Sequence, residues 1–233
     1  MNIVFISPFP NLLKAFNSES ILHRAEQKRI VSYNYINLFE CSNLSQKSID
    51  DYPYGGGSGM ILRPEPIFNA YNKAVEITGK KNLRVLFPTP DGKVLNQSVS
   101  SDLSKTKNLI FICGHYKNID QRIRDTLVTD EISIGDYVLT GGELPACVIL
   151  DSIVRLMPGV LGNIDSAHSD SFSDGLLDCP YYTRPEIYND ITVPEVLTSG
   201  DHKKIKEWRL KKREEKTKLK RPDLYDIYSK KKN

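Results

Sequence analysis

The chain has 233 residues, 39% of them hydrophobic, which is enough to bury one sizeable core and carry a smaller appended module. Its net charge of +3 conceals an imbalance, because residues 200–233 hold 14 Lys and Arg against 6 Asp and Glu, while the remainder holds 18 against 23. Apolar runs are too short for a membrane span or a signal peptide, and four widely spaced cysteines argue against a disulfide scaffold or a structural zinc site, so we expect a cytoplasmic protein without a membrane partner.

Strand and helix patterns alternate along the first two thirds of the chain. Apolar runs predict strands at residues 3–6, 30–36, 84–87, 109–113 and 137–139. Helical periodicity predicts helices at residues 12–16, 18–26, 65–77, 96–103, 120–127 and 143–156. This order predicts an α/β fold with a mostly parallel sheet and helices on both of its faces.

Three loops follow predicted strands, at residues 87–92, 113–118 and 139–142. Since the carboxyl ends of parallel strands meet at one edge of a sheet, we expect these loops to form a single pocket. The third loop lies in IGDYVLTGGELPA at residues 134–146, where paired glycines would let the backbone approach a ligand closely.

A second glycine cluster, PYGGGSGM, occupies residues 53–60. Its spacing is not that of a dinucleotide fingerprint, and no lysine follows it as a phosphate-binding P-loop requires. The cluster therefore matches neither of the two common nucleotide-binding loops.

A polar stretch at residues 163–174 has the composition of a mobile linker. We therefore predict a sheet domain at residues 1–162, a flexible linker at 163–174 that stays disordered without RNA, and a helical, basic domain at 175–233. The positive charge of the last segment suits either binding to a polyanion or a solvated helix face.

Four motifs occur in order: residues 53–60, residues 134–146, PGVLG at residues 158–162 and LDCPYYTRP at residues 177–185. With them the chain resembles, nearly end to end, the bacterial tRNA (guanine-N1)-methyltransferases, members of the trefoil-knotted (SPOUT) methyltransferases. The resemblance implies a deep knot in the C-terminal part of the sheet domain, bound S-adenosylmethionine, and a homodimer with its active site between protomers. It also implies that the substrate is the tRNA anticodon stem-loop, methylated at the guanosine 3′ to the anticodon (position 37).

The resemblance also implies roles for individual residues. Asp170 matches the general base that removes the guanine N1 proton, and Arg155 matches the group that stabilises charge on O6. Basic helices after residue 199 would contact tRNA phosphates. A magnesium ion is possible, although the sequence has no cluster of metal ligands. The cofactor contacts fall on Phe87, Pro88, Thr89, Pro90, Gly114, Tyr116, Lys117, Ile134, Gly135, Tyr137, Leu139, Gly141 and Gly142.

One segment departs from the family pattern, in which an acid and then a glycine follow the tyrosine corresponding to Tyr116. Here these residues are Lys117 and Asn118, and Asn118 could supply a positive φ in place of the glycine. We expect weaker cofactor binding or a rearranged contact rather than lost activity. Two alternatives stay open: a non-catalytic RNA-binding dimer of the same fold, and a knotted methyltransferase that acts on another RNA site.

Overall fold

The computed structural model describes residues 1–162 and 170–232, with the side chain of Lys232 not included. The chain divides into two compact units, Met1–Gly162 and Asn163–Asn233. Most of the predicted flexible linker, residues 163–169, lies outside the described residues. Its last part is tied to the second unit, since Arg213 Nη1 donates to Asp174 Oδ2 at 2.9 Å.

The first unit contains eight strands. They are β1 (Asn2–Ser7), β2 (Ser32–Asn37), β3 (Asp50–Asp51), β4 (Ile61–Leu62), β5 (Leu83–Val94), β6 (Asn108–Ile112), β7 (Asn118–Ile119) and β8 (Asp130–Ser133). The main sheet has the order β2-β1-β6-β5-β8, and every neighbouring pair in it is parallel. A small second sheet has the order β3-β4-β7. The predicted α/β fold with a mostly parallel sheet is confirmed.

Six helices cover this sheet: α1 (Pro10–Asn17), α2 (Ser20–Gln27), α3 (Pro64–Thr78), α4 (Gln97–Leu103), α5 (Gln121–Thr126) and α6 (Glu143–Val154). Alternate residues of one strand face opposite sides, so Phe5 packs with buried residues of α1, α2, α4 and α6, whereas Val4 packs with those of α3 and α5. Two separate cores therefore hold helices on both faces of the sheet, as predicted. The knot that the resemblance implies stays a prediction.

Two predicted boundaries are wrong. Residues 137–139 form no strand: they lie in an irregular loop, where Val138 is 83% exposed, and β8 precedes them. A short apolar run does not by itself distinguish a buried strand from an exposed loop. The predicted loop at residues 87–92 lies within β5, but Pro88 and Lys93 both pair with Ile132, so the residues between them interrupt the pairing with β8 as a bulge.

The described part of the second unit contains a hairpin followed by helices. Its elements are β9 (Ile187–Tyr188), β10 (Ile191–Thr192), α7 (Glu195–Thr198), α8 (His202–Lys220) and α9 (Pro222–Lys232). Its small core includes Leu176 and Thr217, and Thr217 Oγ1 accepts a hydrogen bond from the Leu177 amide at 2.9 Å. Across the described parts of both units, no helix combines the length and apolar character needed to cross a bilayer.

Candidate functional site

A cavity of about 350 Å³ opens where three segments meet at the carboxyl ends of β6 and β8 and the bulge of β5. Its lining comes from residues 87–91, 114–118, 132–135 and 137–142, together with Pro145. All thirteen residues predicted from the resemblance to contact a cofactor line this one cavity. The structure therefore brings them together, while their role in binding stays a prediction.

Gly142 holds two of these segments in contact, backbone against backbone. Its amide donates to the Gly114 carbonyl at 2.8 Å. A Cβ added at Gly142 would lie 2.7 Å from the Gly114 nitrogen and 2.8 Å from the Cys113 Cα, so no side chain fits there. Gly142 is thus required by loop packing, a reason other than the close ligand approach inferred from the sequence.

A buried carboxylate at the start of α6 links the same segments through side chains. Glu143 is 4% exposed, and its Oε2 lies 2.7 Å from His115 Nε2. Ser7 Oγ at the end of β1 donates to Glu143 Oε1 at 2.5 Å. The sequence indicated only a first-turn helix acid at Glu143, because its two partners are 28 and 136 residues away in the chain.

The bulge of β5 is fixed by an arginine from α5. Arg124 Nη2 donates to Asp91 Oδ2 at 2.7 Å, and its Nε donates to Glu131 Oε1 at 2.7 Å. Hydrogen bonds from Thr89 and then Arg124 hold the pKa of Asp91 below its ordinary value. The same guanidinium lies 5.6 Å from the centre of the Phe87 ring. This wall of the cavity is therefore braced by charge-assisted contacts.

The segment that departs from the family pattern connects the cavity to the glycine cluster of residues 53–60. The Lys117 amide donates to the Met60 carbonyl at 2.9 Å, and a Cβ added at Gly59 would lie 3.6 Å from the Lys117 Cβ. The positive φ falls on Tyr116, at 58°, and not on Asn118, which is in β7, so that prediction is wrong. Within the described residues, the Lys117 ammonium has no ion pair.

The cavity offers apolar walls and backbone donors. Phe87, Ile134 and Leu139 are among its lining residues. In the described part of the chain, the amides of Leu139 and Gly141 donate to no protein group. Amides without a protein acceptor beside apolar side chains are a lining that can hold a flat heteroaromatic ring.

Arg155, the predicted catalytic residue of the first unit, is not among the residues that line the cavity. Arg155 caps the C-terminal end of α6, whereas Gly142 and the cavity lie at the N-terminal end, roughly 18 Å away along a helix of this length. Asp170 is a half-buried residue of the second unit. The first unit therefore supplies all thirteen predicted cofactor contacts. It supplies no predicted catalytic side chain to the cavity lining.

Comparisons with known proteins agree with the family resemblance. A family model described as tRNA (Guanine-1)-methyltransferase TrmD matches residues 1–227. A tRNA (guanine-N(1)-)-methyltransferase of Staphylococcus epidermidis is 50% identical over 228 residues, which cover 98% of this chain and 92% of the relative. A protein of the same name from Clostridioides difficile is 46% identical over 99% of this chain and 98% of the relative. Another from Bacillus licheniformis is 49% identical over 98% of this chain and 93% of the relative.

Proposed function

This chain belongs to the tRNA (guanine-1)-methyltransferase family, and we propose that it methylates N1 of the tRNA guanosine 3′ to the anticodon, at position 37, with S-adenosylmethionine as the donor. One observation carries the proposal. The thirteen residues implied by the family resemblance, spread over more than fifty positions, converge on one cavity in a chain that matches the family along nearly its whole length.

The cavity residues would bind and orient the cofactor. The free amides of Leu139 and Gly141 would donate to the adenine, and Phe87 and Ile134 would contact its ring and exclude water. S-Adenosylmethionine supplies an electrophilic methyl group. Lys117, the unpaired cation of the lining, stands where the family has an acid, and it would repel the ammonium of the methionine part and so weaken cofactor binding.

The reaction requires the loss of a proton that guanine N1 holds at neutral pH, so a positioned base is needed. Asp170 takes this role in the proposal, and its carboxylate accepts the N1 proton. Negative charge then develops on O6, and the Arg155 guanidinium stabilises it in a water-poor site. Both side chains must therefore reach the guanine that enters the cavity.

A homodimer would supply the missing groups. Leu12 and Phe16 of α1, and Leu144 and Val148 of α6, form an apolar face that is 40–52% exposed on neighbouring helices. An isologous contact through this face, with its two-fold axis perpendicular to α6, would run the two α6 helices in opposite directions. The Arg155 end of one helix would then approach the cavity end of the other, and the active site would lie between the protomers.

The second unit would bind the tRNA anticodon stem-loop. Most of the positive charge of residues 200–233 lies on α8 and α9, and phosphate neutralisation by these side chains predicts binding that weakens steeply with salt. The target guanine must leave its stack to reach the cavity. Such an enzyme works in the cytoplasm, where tRNA is present.

The test is single-turnover methyl transfer from labelled S-adenosylmethionine to unmodified tRNA transcripts that carry guanosine or adenosine at position 37. We expect transfer to the guanosine transcript alone, and its loss in Asp170→Ala and Arg155→Ala. Asp226→Ala, which removes an exposed acid of α9, is the matched control and keeps activity. Chelation with EDTA in the same assay tests the need for magnesium.

Other outcomes identify the alternatives. Salt-sensitive tRNA binding without transfer would indicate the non-catalytic RNA-binding dimer. Methylation that persists in the adenosine transcript would indicate a knotted methyltransferase acting at another RNA site.

A further inference from the structure

The second unit has a cavity of its own, of about 470 Å³. Its lining comes from residues 180–184, from Glu186 and Val193 beside the hairpin, from α7, and from Ile205 and Arg209 of α8. The volume falls within the range of roughly 300–1,000 Å³ that is typical of small-ligand sites. It is thus large enough for a nucleotide-sized group.

Two tyrosine rings are part of the lining of this cavity. Tyr181 is 66% exposed and Tyr182 is 48% exposed, whereas Val193, Leu197 and Ile205 are partly buried apolar residues of the lining. Tyr181 Oη donates to Asp178 Oδ2 at 2.6 Å, which restrains its ring without covering it. Tyr181 therefore offers flat apolar surface in a restrained position, and the neighbouring Tyr182 offers a second ring that is half exposed.

The charges at the cavity favour an anion. Arg184 and Arg209 both line it, and within the described residues neither guanidinium has a hydrogen bond or an ion pair. Glu186 is the acid among the described lining residues. Arg209 belongs to α8, whose 19 residues include ten Lys and Arg. Two guanidiniums without an ion pair, beside two exposed rings, are the elements that proteins use to bind single-stranded nucleic acid.

We propose that this cavity binds one unstacked nucleotide of the tRNA, other than the methylated guanosine. The base stacks on Tyr182, and the adjoining phosphate lies between Arg184 and Arg209. This inference rests on the proposed function, and it adds a second nucleotide site that anchors the RNA while the target base enters the cavity of the first unit.

An acidic peptide is the rival occupant, since its carboxylates would also pair with the two arginines. A peptide need not contain a planar group that stacks on the exposed faces of Tyr181 and Tyr182, whereas every nucleobase has a planar face that can do so. RNA loops also present unstacked bases beside phosphates, the combination that this lining matches. The observations therefore favour a nucleotide.

The experiment measures the affinity of the full-length protein for a fluorescently labelled tRNA transcript over a series of salt concentrations, without cofactor. Tyr182→Ala should weaken binding roughly 5- to 150-fold and leave the salt slope unchanged, because stacking releases no counterions. Arg209→Ala should reduce the slope by about one. The matched control is Tyr188→Ala, which removes a tyrosine of β9 that is 67% exposed and outside the lining.

Equal affinities for wild type, Tyr182→Ala and Tyr188→Ala would overturn the proposal. So would an equal effect of Tyr182→Ala on binding of poly-glutamate, which would assign the cavity to an acidic peptide. If Tyr182→Ala does not fold, the wild-type protein can be crosslinked to tRNA that contains 4-thiouridine. A crosslink mapped to Tyr181 or Tyr182 would support the site, and crosslinks confined to other residues would overturn it. The binding assay does not depend on methyl transfer. A wild-type protein that binds tRNA through Tyr182 but transfers no methyl group would therefore contradict the proposed function and leave the nucleotide site standing.

Discussion

His115 and Glu143 join two walls of the first cavity, with His115 Nε2 lying 2.7 Å from Glu143 Oε2. Glu143 also accepts the hydrogen bond of Ser7, so one buried carboxylate connects β1, the segment after β6 and the start of α6. The ring of Phe9 packs edge-on against His115, with their centres 4.9 Å apart. The shape of the cavity thus depends on a group that the reaction itself does not use.

Replacing Glu143 should therefore affect both stability and cofactor binding. Glu143→Ala leaves the buried Ser7 hydroxyl and the His115 ring without their acceptor, and we expect the free energy of unfolding to fall by about 1–3 kcal/mol. Thermal and denaturant unfolding measure this loss, and titration calorimetry with S-adenosylmethionine measures the loss of affinity. Glu143→Gln keeps an acceptor oxygen of the same shape and should lose much less. Equal stability of wild type and Glu143→Ala would contradict this role.

Gly142 tests the backbone packing of the cavity. Gly142→Ala forces a methyl group against the Gly114 nitrogen and the Cys113 Cα, both rigid backbone atoms, and should destabilise the first unit by about 1–3 kcal/mol. Gly162→Ala is the matched control, because a Cβ there meets nothing within 4 Å. Unfolding curves for both variants make the comparison. If the two variants prove equally stable, the contact between these loops is looser than the structure indicates.

Lys117 tests the electrostatic consequence of the departure from the family pattern. Lys117→Glu places an acid beside the expected position of the cofactor ammonium, and we expect the affinity for S-adenosylmethionine to rise roughly two- to fivefold, as for an exposed ion pair. Lys117→Gln removes the charge without reversing it and should give an intermediate affinity. Calorimetry at low salt separates the three proteins. Weaker binding by Lys117→Glu would mean that the ammonium of Lys117 holds the cofactor carboxylate.

The ion pair between Arg84 of β5 and Asp130 of β8 should make stability depend on acid pH. Burial raises the pKa of Asp130, but hydrogen bonds from Arg84 and Thr129 outweigh it and bring the pKa below its ordinary value of 3.8. A carboxylate with a lowered folded-state pKa stabilises the fold above that ordinary value, and the contribution disappears as pH falls through the folded-state pKa.

Arg84→Met should therefore lower the free energy of unfolding by about 1–3 kcal/mol at pH 7 and by less at pH 2–3, since protonated Asp130 no longer needs its partner. Urea unfolding across this pH range measures both values. Asp102→Asn removes the more exposed partner of the same guanidinium, 68% exposed, and should keep the acid dependence of the wild type. A pH-independent loss in Arg84→Met would exclude Asp130 as its cause.

The candidate site was predicted in part. The alternation of apolar runs placed three loops at one edge of the sheet, and the structure gathers their residues around one cavity. The same apolar pattern wrongly predicted a strand at residues 137–139, and it gave no sign that Glu143 is buried between Ser7 and His115. Periodicity reports which residues are apolar over a short window, but it does not report which distant polar groups will share a buried position.

The sequence by itself determined the α/β class, the positions of most helices and strands, the basic C-terminal segment and the family. These follow from local periodicity, composition and the order of motifs, which depend only on residues close together in the sequence or on their order. Only the tertiary structure decided that Gly142 must be glycine because Gly114 lies against it, that Glu143 is buried, and that Arg184 and Arg209 share a cavity with two exposed tyrosines. The physical reason is that each depends on contacts between residues far apart in the chain, which exist only after the sheet and helices have packed.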